Sequence, residues 1–272
     1  MLKDITFGQY FPGDSVLHKL DPRMKLVLTI LYIALLFVAN GLLPLAVGVL
    51  MVVFFYALSK LSPKLILRCV KPILPIVIFT AVLNIFFVEG EPLFEWKFIH
   101  ISEKGVLTAV LMAVRIVCLI VGSSLLTYTT TPIALTDGLE RLLKPLNKIK
   151  VPVHELSMMM TIALRFIPTL IDETQKIISA QKARGADLES GNFIEKAKAL
   201  VPILIPLFVS AFRRADELAL AMECRCYRGG DGRTRLKQLK TSAKDWVALA
   251  VVLAGFAAVI LLNLFGPEVG RL

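Results

Sequence analysis

Long apolar stretches alternate along the chain with short polar and basic segments. The longest stretch, residues 26–58, contains no Asp, Glu, Lys, Arg or His. A bilayer needs about 20 apolar residues per helix, whereas these 33 residues would extend for about 50 Å as one helix. Because Asn40-Gly41 and Pro44 interrupt the stretch, it predicts two short spans joined by a tight turn. Three further apolar stretches predict spans over residues 72–88, 106–128 and 246–265.

Basic side chains gather in segments that five spans place on one side of the membrane. Four Lys or Arg lie in each of residues 1–25 and 59–71, and nineteen of the 31 in the chain lie in residues 129–245. Cytoplasmic loops of membrane proteins carry the excess of Lys and Arg. The sequence therefore predicts a cytoplasmic N-terminus, a four-span membrane domain over residues 1–128, a cytoplasmic region over 129–245, and a last span with a short extracytoplasmic tail over 246–272.

The cytoplasmic segment has the pattern of helices and shows no alternating strand pattern. Thr131 before Pro132 predicts the N-cap and first position of one helix. Two long helices follow, over about residues 153–183 and 193–225, each apolar in its first half and charged in its second. The predicted fold class is all-α, a polytopic membrane protein with about five transmembrane helices and three long cytoplasmic helices. The long pair either caps the membrane domain or forms an arm that receives partners.

The two long helices end in similar residues, because each has an alanine four positions before an arginine. These alanines are Ala180, before Arg184, and Ala221, before Arg225. The planar guanidinium of arginine bonds carboxylate groups with two parallel hydrogen bonds, so matched arginines suit two equivalent pockets on partner proteins. Helix C-termini also favour arginine through the helix dipole, so the pattern alone leaves both interpretations open.

Composition narrows the class of protein. Hydrophobic residues make up 56% of the chain, charged residues make up 19%, and the mean hydropathy is +0.73. These values exclude an ordinary soluble enzyme and a disordered chain. The net charge is +10, but most basic residues lie in the cytoplasmic segment. The basicity is therefore explained by membrane orientation and lipid headgroups, and no nucleic-acid partner is predicted.

The sequence contains no recognisable motif for ATP binding, metal binding or catalysis. No G-x-x-x-x-G-K-[ST] loop is present, so the chain cannot bind ATP as P-loop proteins do. His18, His100 and His154 lie in separate segments without metal-like spacing, and no metal or cofactor is predicted. Cys224 and Cys226 are expected to be free thiols in a reducing cytosol. No catalytic set of Ser, His and Asp or of paired carboxylates is recognisable, so the chain is predicted not to be an enzyme.

Two features of the predicted membrane domain stand out. Arg115 is the one charge deep within a span, and it either holds a helix pair together or contacts a membrane partner. Asn84 in the third span is a candidate hydrogen-bond partner for it. Asp21 is the predicted N-cap of the first span, and the following Arg23 and Lys25 suit anionic lipid headgroups.

Several segments together resemble the transmembrane T-components of energy-coupling factor (ECF) transporters, a family related to the CbiQ cobalt-transport membrane proteins. The combination covers essentially the whole chain, although each segment is weak alone. The segments are Gly8-Gln9-Tyr10, Leu20-Asp21-Pro22-Arg23-Met24-Lys25, Thr131-Pro132, Val151-Pro152-Val153-His154-Glu155-Leu156, Leu164-Arg165-Phe166-Ile167-Pro168, Ala183-Arg184-Gly185 and Pro206-Leu207-Phe208.

The resemblance implies a scaffold that works with other chains. In the family, two X-Arg-X motifs at the ends of coupling helices dock onto two ABC-type ATPases, which hydrolyse Mg-ATP. The matching motifs here are Ala183-Arg184-Gly185 and Cys224-Arg225-Cys226, and the second departs from the family's common Ala-Arg-Gly by its two flanking cysteines. An interchangeable membrane S-component captures a vitamin or other micronutrient, so this chain does not select the substrate. The implied location is the plasma membrane of a prokaryote.

Two other functions belong to different classes. A self-sufficient secondary transporter predicts broken helices and ionisable groups at the membrane midplane, and of these only Arg115 is present. An integral membrane enzyme predicts clustered acidic or histidine residues at the membrane surface, and the sequence contains no convincing cluster.

Overall fold

The structure is a computed structural model, and it describes residues 10–88, 92–96, 99–186, 192–229 and 239–265. These residues form nine α-helices. The helices are α1 Pro22–Val38, α2 Leu42–Ser59, α3 Lys64–Val70, α4 Leu74–Phe87, α5 Glu103–Thr129, α6 Pro132–Leu143, α7 Val153–Ala183, α8 Phe193–Cys224 and α9 Ala243–Phe265. The predicted Gly8-Gln9 motif and the tail after residue 265 lie outside the described residues.

The predicted helical class is confirmed with one local exception. Strands β1 (Pro92–Trp96) and β2 (Ile99–Ser102) form an antiparallel hairpin between α4 and α5. A 3₁₀ helix, Lys144–Ile149, lies between α6 and α7 in the chain. The sequence analysis did not predict the hairpin, because its strands are only five and four residues long.

Within the described residues, three helices have the length and composition to cross a bilayer. They are α2, α5 and α9. A fourth candidate is formed by α3 and α4 together, which meet at a 59° bend. The bend lies at Pro72, which has no amide hydrogen to continue a helical ladder. Helix α1 has 17 residues, the lower limit for a span. Five spans therefore remain a prediction.

The chain divides into two compact units. One takes the described residues from 10 to 139 and from 239 to 265, and the other those from 140 to 229. The domain limits predicted from sequence, 1–128, 129–245 and 246–272, remain a prediction. The first unit contains α1 to α5 and α9, and the second contains α7 and α8.

The core of the first unit is an apolar cluster of α1, α2, α5 and α9. Leu35, Leu36, Val252 and Val259 are almost fully buried in it. Tyr32 of α1 contacts both α5 and α2. Its ring lies so close to Gly122 that a Cβ there would come within 2.3 Å of Cε1, and its hydroxyl donates to the carbonyl of Gly48 at 3.2 Å. Small residues permit such close helix packing in membrane proteins.

A buried polar cluster joins helix ends at one side of this unit. Asp21 caps α1, as predicted, by accepting a hydrogen bond from the Arg23 backbone N–H at 3.0 Å. Its own backbone N–H donates to the Asp245 carboxylate at 2.8 Å, which ties α1 to the start of α9.

Lys25 belongs to the same cluster. Its ammonium group donates to the carbonyls of His18 and Thr129 at 3.2 and 2.8 Å, and to the Thr130 hydroxyl at 3.3 Å. The prediction that Lys25 meets lipid headgroups is wrong, because its side chain is buried and its donors are used within the protein.

Candidate functional site

Helices α7 and α8, which carry the two predicted docking motifs, pack against each other in antiparallel directions. The Glu173 carboxylate of α7 accepts hydrogen bonds from the Ser210 hydroxyl and from Arg214 Nη2, the latter at 2.7 Å. Further along α7, Gln181 Nε2 donates to the carbonyl of Pro202 at 3.3 Å. Residues later in α7 therefore contact residues earlier in α8, as an antiparallel pair requires. The predicted limits of both helices are confirmed to within one residue.

The two arginines occupy the same structural position. Arg184 is the C-cap of α7 with φ −85° and ψ 5°, and Arg225 is the C-cap of α8 with φ −91° and ψ 13°. The residue after each arginine is left-handed, with φ 87° at Gly185 and φ 54° at Cys226. The similarity between the motifs thus extends from the sequence to the backbone conformation.

The hydrogen bonds at the two helix ends also match. At the end of α7, the N–H of Ala186 donates to the Gln181 carbonyl and that of Gly185 to the Lys182 carbonyl, both at 3.0 Å. At the end of α8, the N–H of Tyr227 donates to the Met222 carbonyl at 3.0 Å and that of Cys226 to the Glu223 carbonyl at 2.8 Å. Both ends are Schellman motifs.

This geometry gives the third residue of each motif a physical role. The left-handed conformation carries no steric penalty for glycine, which explains Gly185. Cys226 has a Cβ, and a non-glycine residue in this region is uncommon and costs about 1–2 kcal/mol. The departure from Ala-Arg-Gly at Cys226 is visible in the sequence, but the left-handed backbone conformation at that position is visible only in the structure.

Both arginine side chains are available for a partner. Arg184 and Arg225 are exposed, and neither forms a side-chain hydrogen bond or ion pair with the described residues. Each lies eleven residues beyond the clasp that joins the helices, Arg184 after Glu173 and Arg225 after Arg214. At about 1.5 Å per residue, the Cα of each arginine lies about 16 Å along its helix from this ion pair, and the two arginines lie in opposite directions from it.

The same helix pair exposes a large apolar surface. On α8, the exposed fractions of Ile205, Phe208 and Phe212 are 59%, 60% and 66%. On α7, Met159 and Met160 are also exposed. Exposed apolar patches of this kind mark protein or membrane contacts. Each helix thus presents an arginine at its C-terminal end and exposed apolar side chains before its charged part. The sequence predicted this change from apolar to charged residues along each helix.

A small cluster of polar side chains lies at the start of α7. The Glu140 carboxylate accepts a hydrogen bond from the Ser157 hydroxyl at 2.6 Å and lies 3.1 Å from His154 Nδ1. The serine bonds the carboxylate and not the imidazole, so the arrangement does not activate a nucleophile. Among the described residues, no group of three or more His, Cys, Asp or Glu side chains is placed to hold a metal ion.

Arg115 connects two helices of the first unit. Its side chain is buried, and Nη2 donates to the carbonyl of Ala39 at the C-cap of α1. The proposed partner Asn84 instead donates to the Thr80 carbonyl of its own helix at 2.9 Å. Sequence reasoning sought a polar side chain for Arg115 and missed a backbone carbonyl, which any residue type can supply at a helix end.

The sequence is similar to a known protein family and to several named proteins. The sequence profile of CbiQ, described as a cobalt transport protein, matches residues 13–236. A protein of Clostridium kluyveri named energy-coupling factor transporter transmembrane protein EcfT is 60% identical over 254 residues, which cover 91% of this chain and 93% of that relative. Proteins of the same name from Ruminiclostridium cellulolyticum and Acidaminococcus fermentans are 53% and 52% identical, and the aligned regions cover 97% of this chain and 98% of each relative.

Proposed function

Because this chain belongs to the CbiQ family of cobalt transport proteins, with EcfT proteins among its relatives, we propose that it is the transmembrane coupling subunit of an ECF-type importer. It transmits the ATP-driven motion of two ABC-type ATPases to a membrane S-component that binds a vitamin or other micronutrient. The observation that carries this proposal is the pair of similar helix ends, each presenting an exposed arginine on a Schellman motif.

Matched helix ends suit two matched partners. Each guanidinium offers five N–H donors in a rigid fork that fits a carboxylate or a pair of carbonyls. The ends lie on opposite sides of the Glu173 clasp, so two ATPase subunits can bind without competing for one surface. Mg-ATP is bound and hydrolysed in those subunits, and this chain contributes no catalytic residue or cofactor.

The coupling step follows from the helix pair. When the ATPases move together, they displace Arg184 and Arg225 and thereby the two helices. The exposed apolar halves, with Phe208 and Phe212 on α8, receive the S-component and carry the displacement to it. A coupling element can drive reorientation only if it binds its partner differently in two states, so the helix pair has two arrangements in the transport cycle.

Five spans and a cytoplasmic N-terminus fit the contacts between helix ends. Near the start of α1 lie the end of α5 and the start of α9, through Lys25 with Thr129 and Asp21 with Asp245. The end of α1 instead contacts the end of α9, where Asn263 Nδ2 donates to the Val38 carbonyl at 2.7 Å. This order of ends is the one that α1 and α9 running in the same direction, and α5 running against them, require. The protein is then a multi-pass component of a prokaryotic plasma membrane, with its coupling helices in the cytoplasm.

Charge removal at the two helix ends tests the proposal. We expect Arg184→Gln and Arg225→Gln each to weaken one ATPase contact by about 2–5 kcal/mol, because a buried partner charge is left unpaired. The double variant should lose co-purification of both ATPases and abolish uptake. Arg213→Gln is the matched control, since this exposed arginine of α8 lies away from the helix end. Co-purification and uptake are measured in membranes, with membrane insertion checked by yield.

The outcome that contradicts the proposal is equally specific. Normal assembly and uptake in a folded double variant would exclude docking through these arginines. Equal losses in Arg213→Gln and in the motif variants would assign the effect to net charge alone.

A further inference from the structure

A polar cleft lies between the bend of α3 and α4 and the second half of α5. Its volume is about 330 Å³. Arg68 and the hydroxyl residues Ser123, Ser124 and Thr127 line it, together with apolar Ile73 and Ile120. The docking motifs lie in the other unit of the chain, so the cleft is separate from the site described above.

The charge at the cleft is uncompensated. Arg68 is exposed and forms no hydrogen bond or ion pair with the described residues. The sequence contains no Asp or Glu between Asp21 and Glu89, and none in α5 after Glu103. Helix α3 adds Lys64 at its start, so the region carries positive charge alone. An anion is the ligand that this electrostatic field attracts.

The lining of the cleft suits a phosphate group in particular. A guanidinium binds phosphate oxygens with a planar fork. The Thr127 hydroxyl makes no hydrogen bond to the described residues and is exposed, so it can donate to a second oxygen. Ser123 and Ser124 donate to carbonyls of their own helix, Ile120 and Val121, at 3.1 and 2.8 Å.

We propose that this cleft binds the phosphate of an anionic phospholipid. The apolar surface beside the cleft favours a lipid over free phosphate. Ile76, Ile78 and Phe79 of α4 are more than half exposed, and they continue from the bend as a surface along which acyl chains can lie. Arg68 and Thr127 hold the headgroup, and α4 supports the chains. The headgroup lies between the bend at Pro72 and the second half of α5.

Native mass spectrometry of the detergent-purified full chain tests the assignment. Phosphatidylglycerol is titrated against phosphatidylcholine, with inorganic phosphate in a separate arm. The wild-type protein should retain phosphatidylglycerol in preference to phosphatidylcholine. Arg68→Gln should lower phosphatidylglycerol affinity about fivefold, the factor that about 1 kcal/mol per basic residue represents. Thr127→Val should lower it about twofold without any change of charge.

Lys64→Gln is the matched control, because it removes one charge from the same helix but does not line the cleft. A decrease in Lys64→Gln as large as in Arg68→Gln would overturn the site, since it would show only general attraction. Equal retention of the two lipids would overturn it as well. Competition by millimolar inorganic phosphate would overturn the lipid assignment. If Arg68→Gln fails to fold, Thr127→Val decides alone. ATPase co-purification, measured in parallel, separates this result from the docking proposal.

Discussion

At the scale of single residues, backbone conformation restricts the residue type at the third position of each proposed docking motif. Gly185 and Cys226 are both left-handed, but only cysteine pays a steric penalty there. A Cβ built on Gly185 has no neighbour within 4 Å, so conformational strain alone decides the effect of a substitution. The position therefore allows a test in which contacts do not change.

We expect Cys226→Gly to stabilise the end of α8 by about 1 kcal/mol, because the penalty of the left-handed conformation disappears. Gly185→Ala should destabilise the end of α7 by a similar amount. Thermal unfolding in detergent should show opposite changes in Tm of about 2–4 °C. Cys224→Ala is the control, because this residue is helical. A lower Tm for Cys226→Gly would contradict the strain argument.

Arg115 is the second residue whose role can be tested alone. Replacing it by leucine removes the hydrogen bond to the Ala39 carbonyl. We expect Arg115→Leu to lower the free energy of unfolding by about 1–3 kcal/mol, because that carbonyl is left without its donor. Val110→Leu, at an exposed position of α5, is a control that keeps the arginine and its hydrogen bonds. An unchanged Tm together with loss of the S-component would instead assign Arg115 to partner contact.

At the scale of elements, the antiparallel pair of α7 and α8 depends on the Glu173 clasp. The hydrogen bond from the Ser210 hydroxyl and, after it, the charge and hydrogen bond of Arg214 lower the pKa of Glu173 below its ordinary value. A carboxylate with a lowered pKa contributes stability above its unfolded pKa, and this contribution disappears as the pH falls through the folded pKa. The clasp should therefore weaken in acid.

The comparison of wild type with Glu173→Gln measures this dependence. At pH 7 the variant should have a lower Tm, by an amount that corresponds to less than about 1 kcal/mol because the pair is partly exposed. The difference should shrink as the pH is lowered below 4.5 towards 3. Asp172→Asn, at an exposed neighbouring carboxylate, supplies the control. A difference that is constant with pH would exclude the ionised clasp.

The elements also show which features could be predicted from sequence. The limits of α7 depend on local signals, Pro152 before its first turn and Gly185 after its last. The limits of α7 and of α8 were predicted to within one residue. The burial of Lys25, by contrast, depends on neighbours distant in sequence. Lys25 contacts Thr129, 104 residues away, and no local pattern contains that information.

The whole molecule is best tested through its path across the membrane. Asn40 lies in the turn between α1 and α2, Ser62 precedes α3, and Thr241 precedes α9, and all three are exposed. Five spans with a cytoplasmic N-terminus place Asn40 outside the cell and both Ser62 and Thr241 inside it. Because helix-end contacts bring the start of α9 beside the start of α1, these two starts must share one side of the bilayer.

Single cysteines decide between this path and its alternatives. In a variant whose four cysteines, Cys69, Cys118, Cys224 and Cys226, are replaced by serine or alanine, we introduce Asn40→Cys, Ser62→Cys or Thr241→Cys. A membrane-impermeant maleimide should label only Asn40→Cys on intact cells, and all three after permeabilisation. Labelling of Ser62→Cys on intact cells would place the basic 59–71 segment outside. Labelling of Thr241→Cys would reverse α9 and with it the five-span path. Uptake by the cysteine-free variant confirms that the labelled protein is the functional one.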